Sequence, residues 1–310
     1  MLGIKLLPTN INLKFLNKKK FFFVASILMV SSAVGLFFTK GLNYGIDFQG
    51  GIMIDVRTQG PADMRSMRSQ LSALGLGEVT LQEFGQPDNV LIRVQRQDGG
   101  EEAQQLALAK VKDTLGSGIE YRRTEFVGPK VSEELFWDGV KAVSFAIIAI
   151  LIYIWFRFEW QFGLGAIIAL LHDVLTTIGI FALLGLEFNL STVAAILTIA
   201  GYSINDTVVV YDRVRENLRK YKKLDLLELL NNSINQTLSR TIMTSVTTLL
   251  ALFALYFLGG DVIKDFSFAM IWGVIIGTYS SICLAVPLLL HLNLRRGGSK
   301  EKEVLASDKP

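Results

Sequence analysis

Residues 162–184 read FGLGAIIALLHDVLTTIGIFALL, an apolar run whose only ionisable side chains are His172 and Asp173. A bilayer core takes roughly 20 residues of apolar helix, so this run is long enough to cross one. Two comparable runs precede it, at 21–38 and 136–156, and three follow, at 190–211, 241–258 and 266–290. Six such runs predict an α-helical polytopic membrane protein with six transmembrane helices. Composition agrees, because 51% of the 310 residues are hydrophobic, only 19% are charged, and the mean hydropathy is +0.41. The charges cluster between the runs, unlike those of a large soluble core. A net charge of +3 is too small to argue for nucleic acid. The one cysteine, Cys283, excludes an intramolecular disulfide and a cysteine-built metal site, and reads as a packing residue in an apolar run.

The first run follows Lys18-Lys19-Lys20, a start that a signal peptide would share. It is long for the apolar region of such a peptide, and no small-x-small cleavage site follows, so it reads as a retained span. Orientation comes from Lys and Arg near the span ends. Segment 1–20 holds Lys5, Lys14, Lys18, Lys19 and Lys20 without an acid. The loop 212–240 holds Arg213, Arg215, Arg219, Lys220, Lys222 and Lys223, and the tail 292–310 holds Arg295, Arg296, Lys300 and Lys302. Six crossings put all three on one side. The short loops opposite, 185–189 and 259–265, hold Lys264 alone. Both termini are expected in the cytoplasm.

Between the first span and the five-helix bundle of 135–291 lies a polar stretch, 39–134, expected outside the cytoplasm. Residues 51–57 alternate as a strand, a helix is predicted from Pro61 to Leu74, and strands at 78–84 and 89–95 flank a turn at 85–88. A helix over 100–115 and a strand over 119–127 complete the order β-α-β-β-α-β, that of the ferredoxin-like split βαβ unit. The acids of this α+β domain are scattered and no nucleophile stands near a base, so it reads as a binding or structural domain rather than an enzyme. Asp47-Phe48-Gln49-Gly50-Gly51 stands apart, because paired glycines before a strand predict a bulge or a close backbone approach.

An ionisable group in hydrocarbon is costly, so each one is a functional candidate. His172 and Asp173 are adjacent and point about 100° apart on a helix, which suits either a proton path or interhelical hydrogen bonding. In the fourth span Ser203, Asn205 and Asp206 lie roughly 10 Å before Arg213, too deep for a short carboxylate to reach the surface easily. Burial disfavours the ionised form of Asp206, as a proton relay requires, although an interhelical bond would use the same residue. Gly201 would let another helix come close. In the fifth span Arg240 and Thr244 share a face at i, i+4, and Thr244 matches Asp206 in depth. An Asp206–Arg240 pair that opens on protonation would be a two-state switch. Arg240 read alone is equally a cytoplasmic anchor.

Several segments together resemble the SecD/SecF family of the RND superfamily, on its SecF side. They are Tyr44-Gly45-Ile46-Asp47-Phe48-Gln49-Gly50-Gly51, then Glu125-Phe126-Val127-Gly128-Pro129, then His172-Asp173. The most specific runs from Tyr202-Ser203-Ile204-Asn205-Asp206-Thr207 to Tyr211-Asp212-Arg213-Val214-Arg215-Glu216-Asn217. The resemblance implies one subunit of the SecDF complex in a bacterial inner membrane, using the proton-motive force in late steps of protein export. It implies SecD as heterodimer partner, contact with the SecYEG channel and YajC, translocating preproteins as clients, and surrounding membrane lipid. It also places the proton pathway at Asp206, Arg240 and Thr244, with protons as coupling ion and no other cofactor. Two other readings stay open: half of a proton-driven RND exporter of small molecules or lipids, and a non-transporting channel scaffold.

Overall fold

The computed structural model describes residues 12–260, 263–292 and 294. Lys5 and the basic tail positions Arg295, Arg296, Lys300 and Lys302 lie outside the described residues. The chain forms two compact units, one of Met1–Gly41, Phe145–Gly185 and Ala194–Pro310, the other of Leu42–Ser144 and Leu186–Val193.

The first unit is helical. A 3₁₀ turn at Phe15–Lys18 leads into α1, Lys19–Lys40. In the second unit come β1 (Asn43–Tyr44), α2 (Ile46–Gln49), β2 (Gly51–Arg57), α3 (Met64–Ser72), β3 (Val79–Phe84), β4 (Gln86–Val94), α4 (Gly100–Leu115) and β5 (Glu120–Val127). Helix α5 spans Pro129–Arg157, α6 Trp160–Leu184, and β6 is Glu187–Phe188. Then follow α7 (Leu190–Lys220), α8 (Leu226–Leu258), α9 (Lys264–Ser280), a π-helical turn at Ser281–Ala285 and α10 (Val286–Leu288). Six helices are long and apolar enough to cross a membrane: Phe15–Lys40, Pro129–Arg157, Trp160–Leu184, Leu190–Lys220, Leu226–Leu258 and Lys264–Leu288. Helices suit these runs because hydrocarbon offers backbone N–H and C=O groups no other partner.

The segment 212–240, read above as a loop, is helical except at residues 221–225. Leu229, Leu230, Ile234 and Leu238 recur on one face of α8 and are buried with Val210 and Val214 of α7. Asn217 Nδ2 donates to Ser233 Oγ at 2.8 Å and to Gln236 Oε1 at 2.9 Å, which ties the two polar extensions together. Asp225 caps α8 by accepting from the Leu227 N–H at 3.0 Å. Apolar runs mark where a helix is in lipid; they do not mark where it stops.

The helical unit packs through small residues. A methyl on Gly179 of α6 would fall on Cβ and Cα of Ala33 in α1. Gly165 makes room for Tyr211, which is fully buried and donates to the Ala285 carbonyl at 2.9 Å.

In the second unit the sheet runs β3-β4-β2-β5 with every neighbour antiparallel. The register sets Ile52 beside Val94, Ile54 beside Ile92 and Val56 beside Val90, one apolar face buried with Met67 and Leu71 of α3 and Val111 of α4. Two boundaries differ from expectation. Helix α3 starts after Asp63, whose carboxylate accepts from the N–H groups of Arg65 and Ser66, rather than at Pro61. Strand β4 begins at Gln86, so the turn contracts around Gly85, whose φ of +77° favours glycine. A second sheet, absent from the sequence reading, pairs β1 and β6 in parallel, Asn43 beside Glu187 and Tyr44 beside Phe188.

Candidate functional site

Asp206 is 8% exposed and stands where three helical segments meet. Its Oδ1 accepts from Thr241 Oγ1 of α8 at 2.6 Å, and its Oδ2 accepts from Ser281 Oγ at 2.5 Å. Ser281 opens the π turn, and Pro287 just beyond it brings no N–H to the helical ladder. Further hydroxyls continue the seam. Tyr202 Oη donates to Ser245 Oγ at 3.2 Å, and Ser245 Oγ lies 2.7 Å from Thr278 Oγ1. Each hydroxyl donates and accepts, so such a row can relay a proton or merely join helices.

The other members of the proposed pathway face outward. Arg240 and Thr244 are exposed, and Thr244 Oγ1 donates to carbonyls of its own helix, Arg240 at 3.1 Å and Thr241 at 2.9 Å. Among the described residues, Arg240 forms no ion pair with Asp206 within 4.0 Å. Asn205 is exposed as well, and a Cβ on Gly201 would meet open space.

Asp173 of α6 is fully buried. Its Oδ2 accepts from Ser203 Oγ of α7 at 2.6 Å and from Ser280 Oγ of α9 at 2.7 Å, while His172 Nδ1 lies 2.9 Å from its Oδ1. The two adjacent side chains therefore meet each other, and Asp173 joins α7 and α9 as well. Gly277 lets Ser203 approach, for a Cβ there would sit 3.2 Å from that of Ser203.

In the second unit Asp47 Oδ2 accepts from the backbone N–H of Leu190, the first residue of α7, at 2.9 Å. Nearby, Arg93 donates to Glu187 at 2.6 Å and to Asn43 at 2.8 Å. Gly50 and Gly51 have φ of +73° and +118°, and a Cβ on Gly51 would sit 2.5 Å from the Val94 carbonyl oxygen. That is the close backbone approach the pair requires. Pro129 starts α5, where its missing N–H costs no helical bond, and Gly128 accepts from the Ser132 N–H at 3.0 Å.

The family described as "Protein export membrane protein SecD/SecF, C-terminal" matches residues 107–295, more than half of the chain, and "SecD/SecF GG Motif" matches residues 35–62. The chain belongs to the SecD/SecF family. Among curated members, the protein translocase subunit SecF of Rickettsia rickettsii is 47% identical over 302 residues, covering 96% of this chain and 97% of its own. That of Rhodobacter capsulatus is 46% identical, covering 97% and 94%. The crystal structure of SecDF from Thermus thermophilus, a translocon-associated membrane protein, aligns with a TM-score of 0.83 at 38% identity. It covers 94% of this chain, which spans only 40% of that solved chain.

The two family matches fall on the two clusters. The GG match contains Asp47, Gly50 and Gly51, and the C-terminal match contains Asp173 and Asp206. What the sequence reading missed are the hydroxyls that hold the acids: Thr241, Ser281 and Ser280. Thr241 is one residue from Arg240, yet a helix turns about 100° per residue and carries it to the buried face.

Proposed function

We propose that this chain is a SecF-type subunit of the Sec translocase accessory complex, pairing with SecD in a bacterial inner membrane to promote late export steps with the proton-motive force. The observation that carries it is the Asp206 carboxylate, buried in the membrane helices and, among the described residues, hydrogen-bonded to two hydroxyls. Protonation leaves both hydroxyl contacts possible, whereas an ionised group there favours a cation. Arg240, on the exposed face of α8, adjoins Thr241, the residue that donates to Asp206, and is the candidate cation. In this reading the hydroxyl-held arrangement alternates with one in which Arg240 pairs with Asp206, and Thr244 lines the route. Moving one charge through 100 mV releases about 2.3 kcal/mol, enough to bias such an equilibrium by tens of fold.

The remaining parts follow from the same reading. Lys14 and Lys18–Lys20, with the basic stretch 213–223, place the N-terminus and the α7–α8 connection in the cytoplasm, and six crossings return the C-terminus there. The second unit then lies outside, and its β-α-β-β-α-β succession from β2 to β5 supports the reading as a ferredoxin-like domain. SecYEG, YajC and emerging preproteins are the further partners, with protons as the coupling ion.

One observation favours a scaffold instead: both oxygens of Asp206 already have donors, as helix-joining groups do. Asp206→Asn separates the two, because the amide keeps a hydrogen-bonding shape and cannot ionise. Export of a secreted reporter is measured in a strain that depends on this chain, alongside copurification with SecD. Loss of export with copurification intact is the expected result. Normal export would end the proton-coupling role.

A further inference from the structure

A basic cleft opens where α5, α6 and the polar extension of α7 meet. One lobe, of about 550 Å³, is lined by Arg157, Asp212, Arg215, Glu216, Arg219 and Lys220. A second, of about 440 Å³, shares Arg215 and Arg219 and adds Lys222, Glu159, Phe162 and Leu218 among its walls. Cations outnumber acids in each. The floor is built rather than loose. Arg157 donates to both oxygens of Asp212 at 2.6 and 2.5 Å, and Arg215 donates to the Arg157 carbonyl at 3.2 Å. The guanidinium carbons of Arg157 and Arg215 lie 4.9 and 5.4 Å from the Phe158 ring centroid. Arg219 and Lys222, by contrast, form no ion pair with a carboxylate within 4.0 Å among the described residues. Their charge is left for something else.

The neighbouring side chains say what. Trp155, Phe156 and Trp160 are 74%, 81% and 64% exposed, and they bracket Arg157 in sequence. Bulky aromatics are enriched at the membrane–water boundary, so the cleft lies at headgroup depth. Its second lobe sets apolar Phe162 and Leu218 beside Arg219 and Lys222. A soluble phosphate has no use for an apolar wall, whereas a phospholipid presents a phosphate and a glycerol-acyl shoulder together. The geometry points to a binding site for the phosphate of an anionic phospholipid, held by Arg219 and Lys222 in the α5–α6–α7 cleft. The site rests on the membrane reading of these helices and is independent of proton coupling.

The test uses the full chain, purified with its SecD partner, and native mass spectrometry of retained lipid after exchange into phosphatidylglycerol or phosphatidylcholine. Preferential retention of phosphatidylglycerol is expected, weakened about thirty-fold in Arg219→Gln/Lys222→Gln at roughly fivefold per cation. Arg219→Lys/Lys222→Arg should retain it. Lys223→Gln, next to the cleft but outside its lining, should leave retention unchanged. An equal loss from Lys223→Gln would mean diffuse surface charge and overturn the site, as would equal retention of both lipids. Displacement by millimolar glycerol phosphate would assign the site to a soluble anion and overturn the lipid reading. Asp206→Asn should retain lipid normally, so failure of the export mechanism and failure of this site are told apart.

Discussion

The two membrane acids differ in how much structure depends on them. Asp173 gathers contacts from His172, Ser203 and Ser280, so Asp173→Ala would strand His172 Nδ1 and Ser203 Oγ at about 1–3 kcal/mol each, while Ser280 Oγ keeps the Gly277 carbonyl. A clearly lowered thermal midpoint of the purified protein is expected, with most of it restored in Asp173→Asn; an unchanged midpoint would remove Asp173 as a structural node. Asp206 has two such contacts among the described residues. Thr241→Val deletes one donor at nearly constant volume, and Thr241→Ser keeps it. Export should fall by about fivefold in the first and recover in the second, for a hydrogen bond between neutral groups is worth about 0.5–1.5 kcal/mol. Outside the membrane, the hydrogen bond and charge of Arg57 hold the Asp88 carboxyl below its ordinary value of 3.8. The pair therefore contributes to stability above that ordinary value, and the contribution is lost as pH falls through the lowered one. Carboxyl ¹³C titration of Asp88 in the full chain should therefore show a lower midpoint than in Arg57→Gln.

At the scale of elements, α7 is fixed at its first turn. Asn189 Oδ1 accepts from the Thr192 N–H at 3.0 Å, the Asn189 N–H points back to Thr192 Oγ1 at 3.5 Å, and Asp47 takes the Leu190 N–H. An acid at a helix N-terminus satisfies a free donor and complements the dipole. Asp47→Ala should cost about 1 kcal/mol and speed hydrogen exchange at residues 190–193, leaving α8 unaffected. The role of Asp47 was hidden in the sequence, since its partner lies 143 positions away. The same holds for Ser281: serine is common in membrane helices, and only the packing of the π turn against α7 singles it out. By contrast, hydropathy alone revealed the six spans, and alternation revealed β2 to β5, because those signals repeat within one element. Helix ends were less legible, as the charged stretch beyond residue 211 reads as loop until its leucine stripe is seen to pack on α7.

Over the whole molecule, one outward stripe is at odds with a lipid neighbour. Ala194, Thr198, Gly201 and Asn205 recur along α7 at helical spacing and are all exposed. Small and polar residues at such spacing let a second helix approach closely and offer hydrogen bonds across the contact, as lipid-facing positions do not. The proposed SecD partner would supply that helix, since the solved SecDF chain is far longer than this one. Two glycines make the idea testable. Gly179→Leu places its side chain on the backbone of Ala33, so it should disrupt the chain itself, at about 1–3 kcal/mol or more. A Cβ on Gly201 meets nothing within 4 Å among the described residues, so Gly201→Leu should fold and keep its thermal midpoint. If α7 docks on SecD through this stripe, Gly201→Leu should nevertheless lose copurification with SecD, and Asn205→Leu should weaken it. Full SecD recovery with Gly201→Leu would place the partner on another face.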